Sequence, residues 1–237
     1  MESFSTAARA DTPATSKLPD GLRLGPVHLM VTNLDRSIEF YEQVLGMQVH
    51  NREDQLVSLG AGGDHVLVLH ESPGARRAGR HAGLFHVALL YPSRLELARV
   101  MQRIALAAAP VQGASDHHTH EAVYLADPDG IGLELAADRP RAQWPDFSTG
   151  GYNGRPDPLD LDSLLDLVVE AAPIAHAELG LAVGHLHLQV GDIEQGLAFY
   201  RDVIGFDVMT VMPTAAFVSA GGYHHHLGFN TWLGVGV

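Results

Sequence analysis

Apolar and polar residues alternate over Val27-His28-Leu29-Met30-Val31, which turns Val27, Leu29 and Val31 to one face and His28 and Met30 to the other, as in a short strand. The period then lengthens. Leu34, Ile38, Tyr41 and Leu45 recur at helical spacing behind Asn33, whose side chain can cap a helix, and Gly46 stops the run. Three β-rich stretches follow, around Gln48 to His50, Leu56 to Leu59 and His65 to His70. The pattern reads β-α-β-β-β.

The pattern returns later in the chain. Sliding the sequence by 159 residues lays Leu24 to Glu71 on Val183 to Asn230 without a gap, matching His28 with His187, Tyr41 with Tyr200, Gly46 with Gly205 and His65 with His224. Asp192 then stands where Asn33 caps, and Ile193, Leu197, Tyr200 and Ile204 repeat the helical stripe. A weaker copy lies between them. Leu84 to Leu89 repeats the strand with His86 in it, Ser93-Arg94-Leu95-Glu96 is a capping box opening a helix to about Ala109, and Pro110 ends it. Ala122 to Leu125 and Ile131 to Ala136 read as strands joined by the turn Asp127-Pro128-Asp129-Gly130.

The expected fold is α+β, with tandem βαβββ units forming incompletely closed, barrel-like sheets. Residues 1–20, rich in Ser, Thr, Ala and Pro, read as a disordered leader. Residues 21–140 hold two units as an N-terminal domain, and 141–182, which contains a Pro-, Gly- and Asp-rich run and the leucine-rich helical stretch Leu159 to Ala172, is a connector. Residues 183–237 hold one further unit, an incomplete C-terminal domain.

Composition narrows the chemistry. The 237 residues carry 28 acidic and 15 basic side chains, a formal net charge of −13, so phosphate backbones and anionic lipid are poor partners. No apolar run approaches a membrane span and no secretory signal is seen, which points to a cytoplasmic protein. There is no cysteine, so a bound metal must use His, Asp or Glu, and 15 histidines are available.

The His-bearing opening strand, the helix ending Phe-Tyr-x-x-Val-Leu/Ile-Gly-Met/Phe and the run Asp127-Pro-Asp-Gly-Ile-Gly-Leu-Glu-Leu135 resemble the vicinal oxygen chelate superfamily. That group contains glyoxalase I, type I extradiol dioxygenases, fosfomycin resistance enzymes and bleomycin-binding proteins. Ser219 to Trp232 and Tyr124 to Gly130 look like the shorter bacterial catechol 2,3-dioxygenases. Members of that kind carry four units and three are present here with the fourth missing, so either the polypeptide is a fragment or truncated product, or its incomplete C-terminal domain pairs with another chain in a homo-oligomer.

The resemblance implies that units one and two close around a cavity. His28 and His86 open those units, and Glu134 alternates with Ile131, Leu133 and Leu135 on the strand closing unit two. Two His and one carboxylate form the facial set of non-haem iron sites, so His28, His86 and Glu134 are the expected ligands of Fe(II), or of Mn(II). Relatives place an active-site Tyr ten residues before the carboxylate, which marks Tyr124. His117, in Asp116-His117-His118-Thr119-His120, is the expected proton acceptor, and His70 is a second choice for that task. The implied reaction is extradiol cleavage of an aromatic diol by O2. A glyoxalase-like lyase or isomerase would need a fourth ligand at the unit-one position matching Glu134, where Val68 or Leu67 is expected and a slip of two would present His70. A metal-free binding protein would use the same cavity for an aromatic ligand. Of His224, His225 and His226, at most two can share one side of a strand.

Overall fold

The computed structural model describes residues 17–146 and 155–237. Most of the expected leader, and the middle of the Pro- and Gly-rich run, fall outside them. Residues 17–20, the leader's end, are held in place: Lys17 pairs with Asp207 at 2.6 Å and the Leu18 amide donates to the Gly205 carbonyl at 3.2 Å.

Unit one is β1 (Val27–Val31), α1 (Leu34–Gln43), β2 (Gln48–Glu53), β3 (Leu56–Gly60) and β4 (His65–Glu71). Its four strands form a separate sheet in the order β1-β4-β3-β2, with β1 parallel to β4. Unit two is β5 (Gly83–Leu90), α2 (Arg94–Leu106), β6 (Val111–Asp116), β7 (His120–Ala126) and β8 (Gly132–Asp138). Two residues, β9 (Asp157–Pro158), add to the edge at β6. The leucine-rich stretch is helical only over α3 (Leu161–Leu165) and a following 3-10 turn to Val168. Unit three is β10 (Ala182–Gln189), α4 (Ile193–Phe199), β11 (Asp207–Met212), β12 (Ala215–Ser219) and β13 (Leu227–Asn230).

The expected caps form. Asn33, Ser93 and Asp192 each accept a hydrogen bond from the backbone amide three residues on, at 2.8, 3.2 and 2.8 Å. Ser93 completes only half of a capping box, because Glu96 turns its carboxylate to Arg99 and to the Glu178 amide. After α4 the chain passes through a π-helical turn, Tyr200–Ile204, and Gly205 leaves it at φ +98, a conformation open to glycine at little cost.

Which units pair differs from the expectation. β5 runs antiparallel to β10, and units two and three merge into one nine-stranded sheet ordered β11-β12-β13-β10-β5-β8-β7-β6-β9. Units one and two instead share an apolar core: Leu34, Ile38 and Tyr41 of α1 belong to one cluster with Leu97, Val100 and Ile104 of α2. Polar ties run the same way, with the Tyr41 hydroxyl donating to Asp127 and the Thr32 amide and hydroxyl to Asp129. The opening strand of unit one, β1, is therefore left at a sheet edge, while β10 of unit three is covered on both sides.

Candidate metal centre

The site is built where β10, β5 and β8 lie side by side. In the antiparallel pairing of β5 with β10, His86 stands opposite His187 and Ala88 opposite His185; in the parallel pairing of β5 with β8, Ala88 stands beside Glu134. Residues opposite one another share a face, so His86, His185, His187 and Glu134 all look into the same space. The methyl of Ala88 is small enough for its neighbours to meet above it: His185 Nε2 lies 3.1 Å from Glu134 Oε2. His86 Nε2 lies 3.0 Å from the same oxygen, and all three residues are buried.

His28 is not brought to this place. It lies exposed on β1 of the four-stranded sheet, with its Nδ1 2.8 Å from Nε2 of His70, and neither residue lines the cavity. The helix caps explain why His28 looked equivalent to His86. His86 and His185 each stand seven residues before an N-cap, Ser93 or Asp192, whereas His28 stands five before Asn33. The true counterpart of His86 in unit one is Pro26, and His28 corresponds to Ala88 and His187. By the same register, Glu134 corresponds to Val68 beside His28 and to Gly228 beside His187.

The three converging side chains suit a divalent cation. Metal ligands held at about 2.1 Å in neighbouring coordination positions stand roughly 3 Å apart, and the two nitrogens stand 3.0 and 3.1 Å from the carboxylate oxygen. His86 Nε2 makes no hydrogen bond among the described residues despite that proximity, so a lone pair, and not a shared proton, can face the carboxylate. Three further groupings have nitrogens and oxygens within 4.8 Å: His117, His120 and Glu134; His120, Asp138 and His224; and His185, His224 and His225. In the first two the rings are stacked, at 8° for His117 on His120 and 16° for His120 on His224. Lone pairs lie in ring planes, and nearly parallel planes carry them past a common point. In the third, the His185 and His225 ring centroids are only 4.0 Å apart, too close for both nitrogens to point at one ion. The His86 and His185 rings stand at 62°, which lets both aim at one centre.

Electrostatics agree with the geometry. Burial alone would raise the Glu134 carboxyl, but the charge interaction with His185 and the closeness of the His120, His185 and His86 ring nitrogens outweigh it and hold the group well below the usual carboxylate range. Burial pushes His185 down against the pull of Glu134, which keeps the imidazole neutral and its lone pair free. His120 orients the carboxylate from behind. The Thr119 hydroxyl lies 2.8 Å from His120 Nδ1 and can donate to it, leaving a proton on Nε2 for Glu134 Oε1 at 3.0 Å.

Tyr124 and His117 meet beside the carboxylate. The β7–β8 hairpin closes the ten-residue gap, so Tyr124 lies directly opposite Glu134. The tight turn between β6 and β7, with His118 at φ +64, brings His117 Nε2 to 2.7 Å from the Tyr124 hydroxyl. Burial, with the neighbouring His120, lowers His117 to about 4, and burial beside Glu134 raises the Tyr124 phenol. The phenol therefore donates to a neutral imidazole. Of the His triplet, His224 and His225 line the cavity, while His226 turns away and accepts from the Ala220 amide.

A cavity of about 560 Å3 opens over these residues, walled by Phe85, Phe217, Met212 and Trp232. The family model described as the glyoxalase/bleomycin resistance protein/dioxygenase superfamily matches residues 23–135 and 182–231, which take in units one, two and three. The chain belongs to this superfamily. Among relatives of this superfamily member, a catechol-2,3-dioxygenase from Bacillus subtilis (strain 168) is 38% identical over 226 residues, 92% of this chain and 78% of that protein. Solved structures share the fold. A protein from Bacillus subtilis subsp. subtilis str. 168, provisionally named a dioxygenase, superposes with a TM-score of 0.58 at 16% identity over 92% of this chain and 65% of that one. Glyoxalase I from Zea mays gives 0.53 at 18% identity, over 91% and 68%.

Sequence reasoning missed His185, His120 and the cavity place of His187. The signal was present in the distance from each His to the helix cap behind it. Aligning the units on the most visible histidines hid that signal.

Proposed function

We propose that the chain is an extradiol ring-cleaving dioxygenase that opens an aromatic vicinal diol beside its hydroxyls with O2, using Fe(II), or Mn(II), held by His86, His185 and Glu134. The observation that carries this reading is the glycine at position 228. The place in unit three that matches Glu134 offers no side chain, so the centre has three protein ligands and open positions where a four-ligand glyoxalase-type centre would be closed. The 38% identity to a catechol-2,3-dioxygenase supports the same class.

Iron(II) supplies Lewis acidity toward the diol and redox chemistry toward dioxygen. The protein's own part is to bind, orient and move protons. Phe85, Phe217 and Trp232 offer apolar faces for a planar ring. The Tyr124 hydroxyl is placed to hydrogen-bond a ring oxygen. His117, neutral at physiological pH, is a base that can draw the diol proton through that phenol, the phenol passing its own proton to His117 Nε2 as it receives the diol's. Glu134 supplies the one negative charge of the three-residue set, so a divalent ion held there would retain positive charge toward a diolate.

Anaerobic reconstitution with Fe(II), followed by oxygen uptake with catechol and 4-methylcatechol, tests the reading. One iron per chain and oxygen consumed in step with a ring-opened product are expected. Iron-loaded protein that consumes no oxygen with any simple catechol overturns it.

A further inference from the structure

His187 is the one imidazole on the cavity face of β10 that the metal set does not use. It is 4% exposed, lines the cavity, and its Nε2 has no hydrogen-bond partner among the described residues. A buried polar atom left this way is costly unless something else supplies its partner. The ring has also taken over vacant ground. A Cβ at Gly228, the position matching Glu134, would stand 3.2 Å from His187 Nδ1 and 3.1 Å from the Phe217 ring, so these two side chains fill the fourth-ligand quadrant. Neighbouring aromatics fix the ring without any polar contact: Phe85 at 5.4 Å and 76°, Phe217 at 5.7 Å and 83°, and Trp232 at 5.3 Å and 45°. His86, a metal ligand, is on its other side at 5.0 Å. Ala88 holds the matching place in unit two, so the imidazole breaks the two-fold likeness of the units on one side of the ion only.

We infer that His187 is a substrate-contacting residue: its Nε2 hydrogen-bonds a hydroxyl of an aromatic diol whose ring packs against Phe85, Phe217 and Trp232. The inference rests on the dioxygenase reading above and adds to it the side of the ion on which the ring lies. A rigid imidazole walled by aromatic rings is pre-set for a planar hydroxylated ligand, which costs little ordering on arrival. His187 is then a determinant of diol affinity and not of metal content.

The test uses the full chain, metal-loaded and anaerobic, with 4-nitrocatechol as the probe, whose spectrum reports binding without turnover. His187→Phe keeps a packed ring and removes both nitrogens, and His187→Gln restores a polar group. His187→Phe is expected to retain one metal per chain and wild-type circular dichroism, to bind 4-nitrocatechol about tenfold more weakly, and to recover part of that loss in His187→Gln. Unchanged affinity in a fully metallated His187→Phe overturns the inference while leaving the dioxygenase reading in place. Loss of metal in a folded His187→Phe overturns it too, by making the residue a ligand. If the wild-type protein binds the metal but no catechol, the dioxygenase reading itself falls and takes this inference with it.

Discussion

Glu134 and His28 separate two placements of the ion. Glu134 is the shared partner of His86, His185 and His120, so Glu134→Gln removes the charge while keeping a side chain of the same shape. Metal affinity should fall at least 100-fold, and His120→Ala, which removes only the orienting hydrogen bond, should cost 10- to 100-fold. His28→Ala should leave metal content unchanged, because its ring lies on the other sheet against His70. Elemental analysis after equilibrium dialysis measures all three, and a metal-free His28→Ala would return the ion to unit one. The buried imidazoles also set a pH dependence. His117 and His224 sit at about 4 and about 3 in the folded protein, held down chiefly by burial, against an ordinary value of 6.5. As pH falls, the unfolded chain takes up these protons first, so stability is fully present above 6.5 and drains away below it, levelling off only near 4 and 3. For His117 alone the loss at pH 5 is on the order of 2 kcal/mol. Denaturant titration of metal-free protein at pH 7.5 and 5 should show it, and His117→Gln should shrink the difference by about that amount while the share of His224 remains.

Strands and helices carry the site through their register, and register is where the sequence spoke least clearly. Alternation told which face each residue takes, and on that count His86, Glu134 and Tyr124 were legible. A slip of two residues leaves every face unchanged, however, so His28 and His86 could be overlaid although they differ by two places from their helix caps. Alternation is equally silent on which sheet edge meets which, and the pairing of β5 with β10 follows from edges that no periodicity encodes. The strand β6 escaped notice for another reason: Val111-Gln-Gly-Ala-Ser-Asp116 has neither an apolar rhythm nor a β-branched run, and the ladder with β7 makes it a strand. Where the register is tightest it can be tested. A Cβ at Gly132 would run into the Phe85 carbonyl oxygen and stand 3.1 Å from His86 Cβ. Gly132→Ala should push β8 from β5, cost about 1–3 kcal/mol of stability, and weaken metal binding by moving His86 and Glu134 together. A variant as stable as the wild type, with unchanged metal affinity, would show that the two strands are not held this closely.

Across the whole molecule, the shared core and the candidate site belong to different pairs of units. Unit one is bound to unit two through α1, α2 and the Asp127 to Asp129 turn, while the proposed ion would take two ligands from unit two and one, His185, from unit three. No helix among the described residues is long and apolar enough to cross a membrane. Metal binding should then act on one junction only. An ion present at 100 times its dissociation constant adds about 2.7 kcal/mol to a site that exists only when β10 lies against β5. Local opening that separates those strands must release the ion, whereas opening within the four-stranded sheet need not. Hydrogen exchange with and without Zn(II), used as a redox-silent stand-in, should show slower exchange in peptides from β5, β8 and β10 on loading. Peptides from β1 to β4 should exchange at the same rate in both states. Protection spreading into β1 and β4, or confined to them, would mean that the cation sits with His28 and His70, and the site assigned to units two and three would be wrong.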